Sequence, residues 1–219
     1  MRLDEFAGAL RRRASQAGLA IPSDVEDSFC RYLDLLSRWN QKINLTALPL
    51  APPTDETLDR LILEPLAAAP LIPDRPLQII DLGSGGGSPA IPLRIVRPRA
   101  QLTMVEARGR KATFLREAVR ALGFENVTVL ERRFETLQDD SAFAGVADIV
   151  TARAVRLGRP ESALIEHLLK SNGELVLFGS ADGAAAPPGF ILRRSLDLPG
   201  SRPRGAVAFV FDVPRGTSN

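Results

Sequence analysis

The segment from Gln78 to Pro92, QIIDLGSGGGSPAIP, constrains the fold more than any other part of the chain. An apolar run ends in Asp81, and glycines follow at the alternate positions Gly83, Gly85 and Gly87. Pro89 then opens a helix, with Ser88 placed to cap it. A strand that ends in a carboxylate and passes into residues able to lie close to a ligand is the turn that a doubly wound α/β domain sets at the carboxyl edge of its sheet, where nucleotides bind. The next apolar run, QLTMV at 101–105, leads into Glu106, about 20 residues beyond the glycines. Such folds keep an acid there for the two ribose hydroxyls of a nucleoside.

From this turn onward helical and extended patterns alternate. A strand is predicted from Leu77, a helix from Pro89, a strand over Gln101–Glu106, a helix over Lys111–Leu122 closed by Gly123, and a strand over Val127–Leu130. A strand over Ala147–Thr151, a helix over Pro160–Leu169 and a strand over Glu174–Phe178 follow. The runs Phe190–Leu192 and Ala206–Phe211, separated by a stretch rich in Pro and Gly, read as a terminal hairpin. Repeated βα units imply a mostly parallel sheet with helices on both faces. Before it, Phe29, Tyr32, Leu33, Leu36 and Trp39 fall on one face of a helix over Asp24–Asn40, and the proline-rich segment 49–76 predicts short helices and turns. The expected organisation is an N-terminal helical extension, residues 1–76, packed on a core of residues 77–219.

The turn rules out two ligand classes and makes a dinucleotide the weaker reading. No lysine followed by Ser or Thr comes after the glycines, so a phosphate-cradling GxxxxGK[ST] loop is ruled out. A nucleophile elbow needs glycine two residues before its serine, where Leu82 precedes Ser84. The dinucleotide fingerprint requires glycine where Ser88 stands, together with a second mononucleotide half for which 219 residues leave no room. An S-adenosylmethionine site has no pyrophosphate to seat on the helix end and accepts Ser88–Pro89 there.

Composition agrees with one globular unit: 45% of residues are apolar and 25% charged, with no 18-residue apolar run and no basic-then-apolar leader, so a cytoplasmic protein is expected. A single cysteine, Cys30, and a single histidine, His167, make a metal site unexpected. Arginine supplies 25 of the 28 basic side chains, and the excess of positive charge falls on residues 81–219. Any surface for nucleic acid is therefore expected mainly on the sheet domain, with Arg108, Arg110, Lys111, Arg132 and Arg133 as candidates for gripping phosphates or, equally, as an exposed helix face.

WNQKINLTAL (39–48), DLGSGGGSPAIPLRIVRP (81–98), VEARGRKATFLREAVRALGFENVTVL (105–130) and VTARAV (150–155) together resemble the RsmG family, also called GidB, the bacterial small-subunit rRNA 7-methylguanosine methyltransferases. The resemblance runs from the N-terminal helix to about Gly179. It implies a class I methyltransferase fold, a Rossmann-like and mostly parallel seven-stranded sheet with a terminal antiparallel hairpin. It further implies S-adenosyl-L-methionine as cofactor, a guanine in the 530 loop of 16S rRNA as acceptor, and 16S rRNA or the 30S subunit as partner of a monomer. The cofactor site is then built from Asp81, Gly83, Gly85, Gly87, Ser88, Glu106, Phe134, Glu135 and Arg153. Gly83 and Ser88 fall where the family meets the methionine part, Phe134 and Glu135 where it meets adenine, and Arg153 matches its active-site arginine.

The sequence departs from the family pattern in one cluster. Leu61, Glu64 and Pro65 replace a histidine and an Asp-Ser pair, Ser88 replaces a large apolar residue, and Phe178 replaces a lysine. A methyltransferase with a different acceptor, or a non-catalytic relative that binds cofactor or RNA, is the alternative reading.

Overall fold

The computed structural model describes residues 3–153, 155, 157–179, 186–200 and 206–213. Helices α1 (Leu3–Gln16) and α2 (Ser23–Asn40) begin the chain, followed by α3 (Asp55–Leu58), a π-helical turn over Asp59–Leu63 and α4 (Glu64–Ala68). The sheet contains β1 (Gln78–Leu82), β2 (Gln101–Val105), β3 (Val127–Leu130), β4 (Ala147–Arg153), β5 (Leu169–Gly179), β6 (Ile191–Leu198) and β7 (Ala206–Asp212). Between the strands lie α5 (Ala90–Val96), α6 (Gly109–Ala121) and α7 (Arg159–Leu168).

The strand order is β3-β2-β1-β4-β5-β7-β6, with the first five strands parallel and the last two forming an antiparallel hairpin. The chain moves outward from β1 to β3 on one side and returns to β4 on the other. The gap between the carboxyl ends of β1 and β4 is therefore the switch point, where open α/β sheets bind ligands.

Alternate strand residues feed two cores, because successive strand side chains point to opposite faces. Ile79, Leu102, Met104, Ile149 and Val176 pack on one face with α1, α2 and the segment 58–72. Ile80, Val105, Val150, Leu175 and Phe209 pack on the other with α7. The extension thus shares a core with the sheet. Trp39 at the end of α2 meets Phe114 of α6 edge-on, with centroids 5.9 Å apart.

Three regions differ from the sequence reading. Helix α1 has no counterpart there, although Phe6, Leu10 and Ala14 repeat at helical spacing and are buried. Strand β5 begins at Leu169 rather than Glu174, because the sheet imposes extended backbone on the polar stretch Lys170–Gly173. Strand β6 runs through Arg193, Arg194, Ser195 and Asp197, exposed polar residues that an edge strand tolerates and an apolar-run criterion misses. The hairpin turn at 201–205 lies outside the described residues, as does Ala154 of the VTARAV segment.

Candidate functional site

Parallel pairing sets Asp81 of β1 opposite Thr151 of β4, at the switch point. Asp81 is buried, and its Oδ1 accepts a 2.6 Å hydrogen bond from the Thr151 hydroxyl. Its Oδ2 is buried with no hydrogen-bond partner. Burial raises the carboxyl to about 6, against the opposing pull of the Thr151 hydroxyl, of the nearby Ser84 hydroxyl, which donates to the Asp81 backbone carbonyl at 3.1 Å, and of the positive Arg153.

Above Asp81 the glycine turn is fixed mostly through its own backbone. The amides of Gly83 and Ser84 both donate to the Val105 carbonyl, and Gly87 N–H donates to the Ser84 carbonyl at 2.7 Å. Gly87 has φ +92°, and a Cβ there would come within 2.5 Å of Ile91 Cδ1, so only glycine fits this corner. Glu106 ties the turn to β2: its Oε2 accepts from Gly85 N–H and its Oε1 from Arg108 N–H, each at 2.8 Å. A carboxylate has about four acceptor positions, so Glu106 keeps capacity for further donors. From the extension, the buried Tyr32 hydroxyl donates 2.6 Å to the Gly86 carbonyl.

Ser88 does not cap α5. The residue preceding that helix is Pro89, and the Ser88 hydroxyl turns away to the carbonyls of Arg60 (3.2 Å) and Leu61 (3.1 Å) in the π-helical turn. Arg153, the last residue of β4, reaches the same turn. Its Nη1 donates to the Arg60 carbonyl and to Glu64 Oε2, both at 2.8 Å, and its guanidinium lies 4.9 Å from the centre of the Phe178 ring. The pair is buried, with side chains 12% and 2% exposed. Two of the sequence departures, Glu64 and Phe178, are therefore the groups that hold Arg153. The aromatic ring at 178 offers the cation its negative face.

A cavity of about 300 Å³ opens beside these residues, lined by Leu36, Leu48, Arg60, Gly86, Ser88 and Arg153 among others. Asp81, the glycine turn and Glu106 thus form one cluster, and Ser88 and Arg153 a second on the side of the extension. Phe134 and Glu135 stand in a 3₁₀ turn after β3, two strands from Asp81, with Phe134 half-buried and Glu135 exposed. Of the candidate phosphate-binding residues, Arg132 is paired with Asp140 at 2.8 Å. Sequence reasoning missed Tyr32, Arg60 and Thr151. Only Thr151 left a signal, its position at the end of a predicted strand.

Residues 25–183 match the sequence model of the family described as GidB, rRNA small subunit methyltransferase G. A ribosomal RNA small subunit methyltransferase G of Xanthomonas oryzae is 39% identical over 178 residues, 78% of this chain and 79% of that one. The enzyme of that name from Laribacter hongkongensis is 37% identical over 75% of each chain. Among solved structures, TrmN from Thermus thermophilus superposes with a TM-score of 0.52 at 22% identity, covering 68% of this chain and 48% of that one. A SAM-dependent methyltransferase from Aquifex aeolicus gives the same score at 13% identity, covering 68% and 89%. At these identities the structures establish the fold, a class I methyltransferase sheet. The sequence matches establish the family: the chain belongs to the rRNA small subunit methyltransferase G (GidB) enzymes.

Proposed function

We propose that this enzyme transfers the methyl group of S-adenosyl-L-methionine to N7 of a guanine in the 530 loop of 16S rRNA, as a cytoplasmic monomer acting on rRNA or the 30S subunit. The observation that carries this reading is the buried, unbonded Oδ2 of Asp81 beneath a backbone-locked glycine turn at the β1–β4 switch point. It is an acceptor kept open in a place where burial is costly, and S-adenosylmethionine is a cation with an ammonium group to donate. Glu106 retains lone pairs for ribose hydroxyls. The exposed Glu135 and half-buried Phe134 bound the adenine end. We take residues 1–76 as the extension that closes the acceptor side and 77–219 as the methyltransferase core.

The cofactor supplies a methyl group on a sulfonium sulfur. Guanine N7 carries a free lone pair, so the new N–C bond forms as the C–S bond breaks, and the electron pair leaves with sulfur as S-adenosylhomocysteine. No proton is removed in the transfer, and no general base is required. The protein's part is placement, which contributes roughly 7–11 kcal/mol of barrier lowering where the reactants are well oriented. Arg153, clamped by Glu64, the Arg60 carbonyl and Phe178, presents a fixed cation next to the cavity, suited to orient the base or its phosphates.

Methyl transfer from labelled S-adenosylmethionine to 30S subunits and to naked 16S rRNA, both from cells lacking this gene, tests the reading. Digestion and mass spectrometry are expected to find 7-methylguanosine in the 530 loop. Label in another nucleotide, in protein, or nowhere overturns it.

A further inference from the structure

At the π-helical turn the backbone carbonyls of Arg60 and Leu61, in part-buried surroundings, accept hydrogen bonds from side chains. In a regular helix the Arg60 carbonyl would accept from the Glu64 N–H, but that N–H donates to Asp59. One register on, the donor for Arg60 would be residue 65, and for Leu61 residue 65 is the ordinary partner. Residue 65 is proline and has no N–H. The carbonyls of Arg60 and Leu61 are the ones that accept from the Ser88 hydroxyl, and the carbonyl of Arg60 also accepts from Arg153.

We propose that Pro65 is a positioning residue for Arg153: by withholding an N–H it frees the Arg60 carbonyl as a fixed acceptor for the guanidinium, and Ser88 satisfies what Pro65 leaves open. The two side chains act as one device. Without the proline, the backbone supplies its own donor, the turn relaxes towards regular α-helix, and Arg153 loses one of its anchors. Without the serine hydroxyl, a carbonyl buried beside the cavity stays unsatisfied. Arg60 and Leu61 line that cavity, so the device also sets its wall.

The structural half stands on hydrogen bonding alone, and the functional half rests on the methyltransferase reading of Arg153. A double-mutant cycle in the full chain separates them. Ser88→Ala is expected to lower Tm by about 4 °C in the wild-type background and by less than about 1 °C in Pro65→Ala, where a new N–H meets the carbonyl. Pro65→Ser supplies the same N–H with a different side chain and is expected to mask Ser88→Ala equally. An equal fall in Tm in all backgrounds overturns the coupling. In turnover on 30S subunits, Pro65→Ala is expected to lower kcat about tenfold with the KM for S-adenosylmethionine within about threefold, the signature of a displaced Arg153 rather than a damaged cofactor turn. Unchanged kcat overturns the positioning role. A wild-type enzyme without methyl transfer overturns the functional reading and this role with it, while the thermal cycle still decides the coupling.

Discussion

The glycine turn and the seam between residues 60–65 and the end of β4 hold the two sides of one site by different means. In the turn, most of the fixing groups are backbone amides whose partners lie within the turn or at the end of the neighbouring strand, and one distant side chain, Tyr32, adds a hydrogen bond to the Gly86 carbonyl. In the seam, side chains reach across the fold: Arg153 to Glu64 spans 89 residues, Arg153 to Arg60 spans 93, and Ser88 to Arg60 spans 28. A backbone-built half depends on glycines at set places. A half built from side chains depends on matched pairs of residues from distant parts of the chain. Damage to the turn is therefore expected to appear first in cofactor affinity, and damage to the seam in turnover.

The largest effect is expected from Arg153→Ala. It removes the fixed cation and leaves Glu64, 2% exposed, as a buried carboxylate that has lost its arginine. Methyl transfer at saturating cofactor is expected to fall about 100-fold or more, by analogy with losing a preorganised electrostatic contact. Breaking a buried pair costs about 3 kcal/mol of stability. Single-turnover rates and thermal unfolding measure the two losses. A variant with near-normal turnover would show that the seam is a structural brace, and the comparison would fail.

Gly87→Ala tests the other half. The added methyl meets Ile91 Cδ1 at 2.5 Å and Cγ1 at 3.1 Å, so the Ile91 side chain must turn aside or the turn must shift, and φ of +92° strains any residue with a Cβ. Strain of this kind costs roughly 1–3 kcal/mol, and if it is relieved by shifting the turn the same amount is lost from cofactor binding, a fall of about tenfold or more in affinity. Titration calorimetry with S-adenosylhomocysteine reads the change, and kcat at saturating cofactor is expected to fall less. Loss of kcat with unaltered affinity would reverse the assignment of the two halves.

The same contrast explains what the sequence disclosed. Asp81, the glycines and Glu106 were legible because backbone geometry demands particular residue types in a short stretch, and β1, β2 and β4 because their apolar runs are continuous. Helix α1 escaped because arginines crowd its exposed face, and β6 because an edge strand can be polar on both faces. The seam was illegible for a different reason. Glu64, Pro65, Ser88 and Phe178 stand out in the sequence only as departures from the family pattern, and nothing in their spacing shows that all four meet at Arg60 and Arg153. In space Pro65 and Ser88 compensate one another, and Phe178 and Glu64 receive the same guanidinium.

Asp81 gives the smallest effect and the one that separates affinity from stability. Its carboxyl is raised to about 6, chiefly by burial, above the ordinary value of 3.8. The folded state therefore holds this proton more tightly than the unfolded state, so the group favours folding in acid, and that contribution is lost as pH rises from about 4 through about 6. Above pH 6 the ionised side chain is a net cost, on the order of 3 kcal/mol. Asp81→Asn keeps an oxygen for the Thr151 hydroxyl and removes the charge. Its Tm is expected to exceed that of the wild type at pH 8 and to match it near pH 4. Cofactor binding runs the other way: the cation of S-adenosylmethionine favours the ionised carboxyl, so wild-type affinity is expected to rise up to about tenfold between pH 5 and pH 7 and then level off. In Asp81→Asn that slope should vanish and affinity stay low throughout. A stabilised variant that still binds cofactor with the wild-type pH profile would mean that the open oxygen of Asp81 serves the fold and not the ligand, and the turn would have to hold the cofactor through its backbone and Glu106 alone.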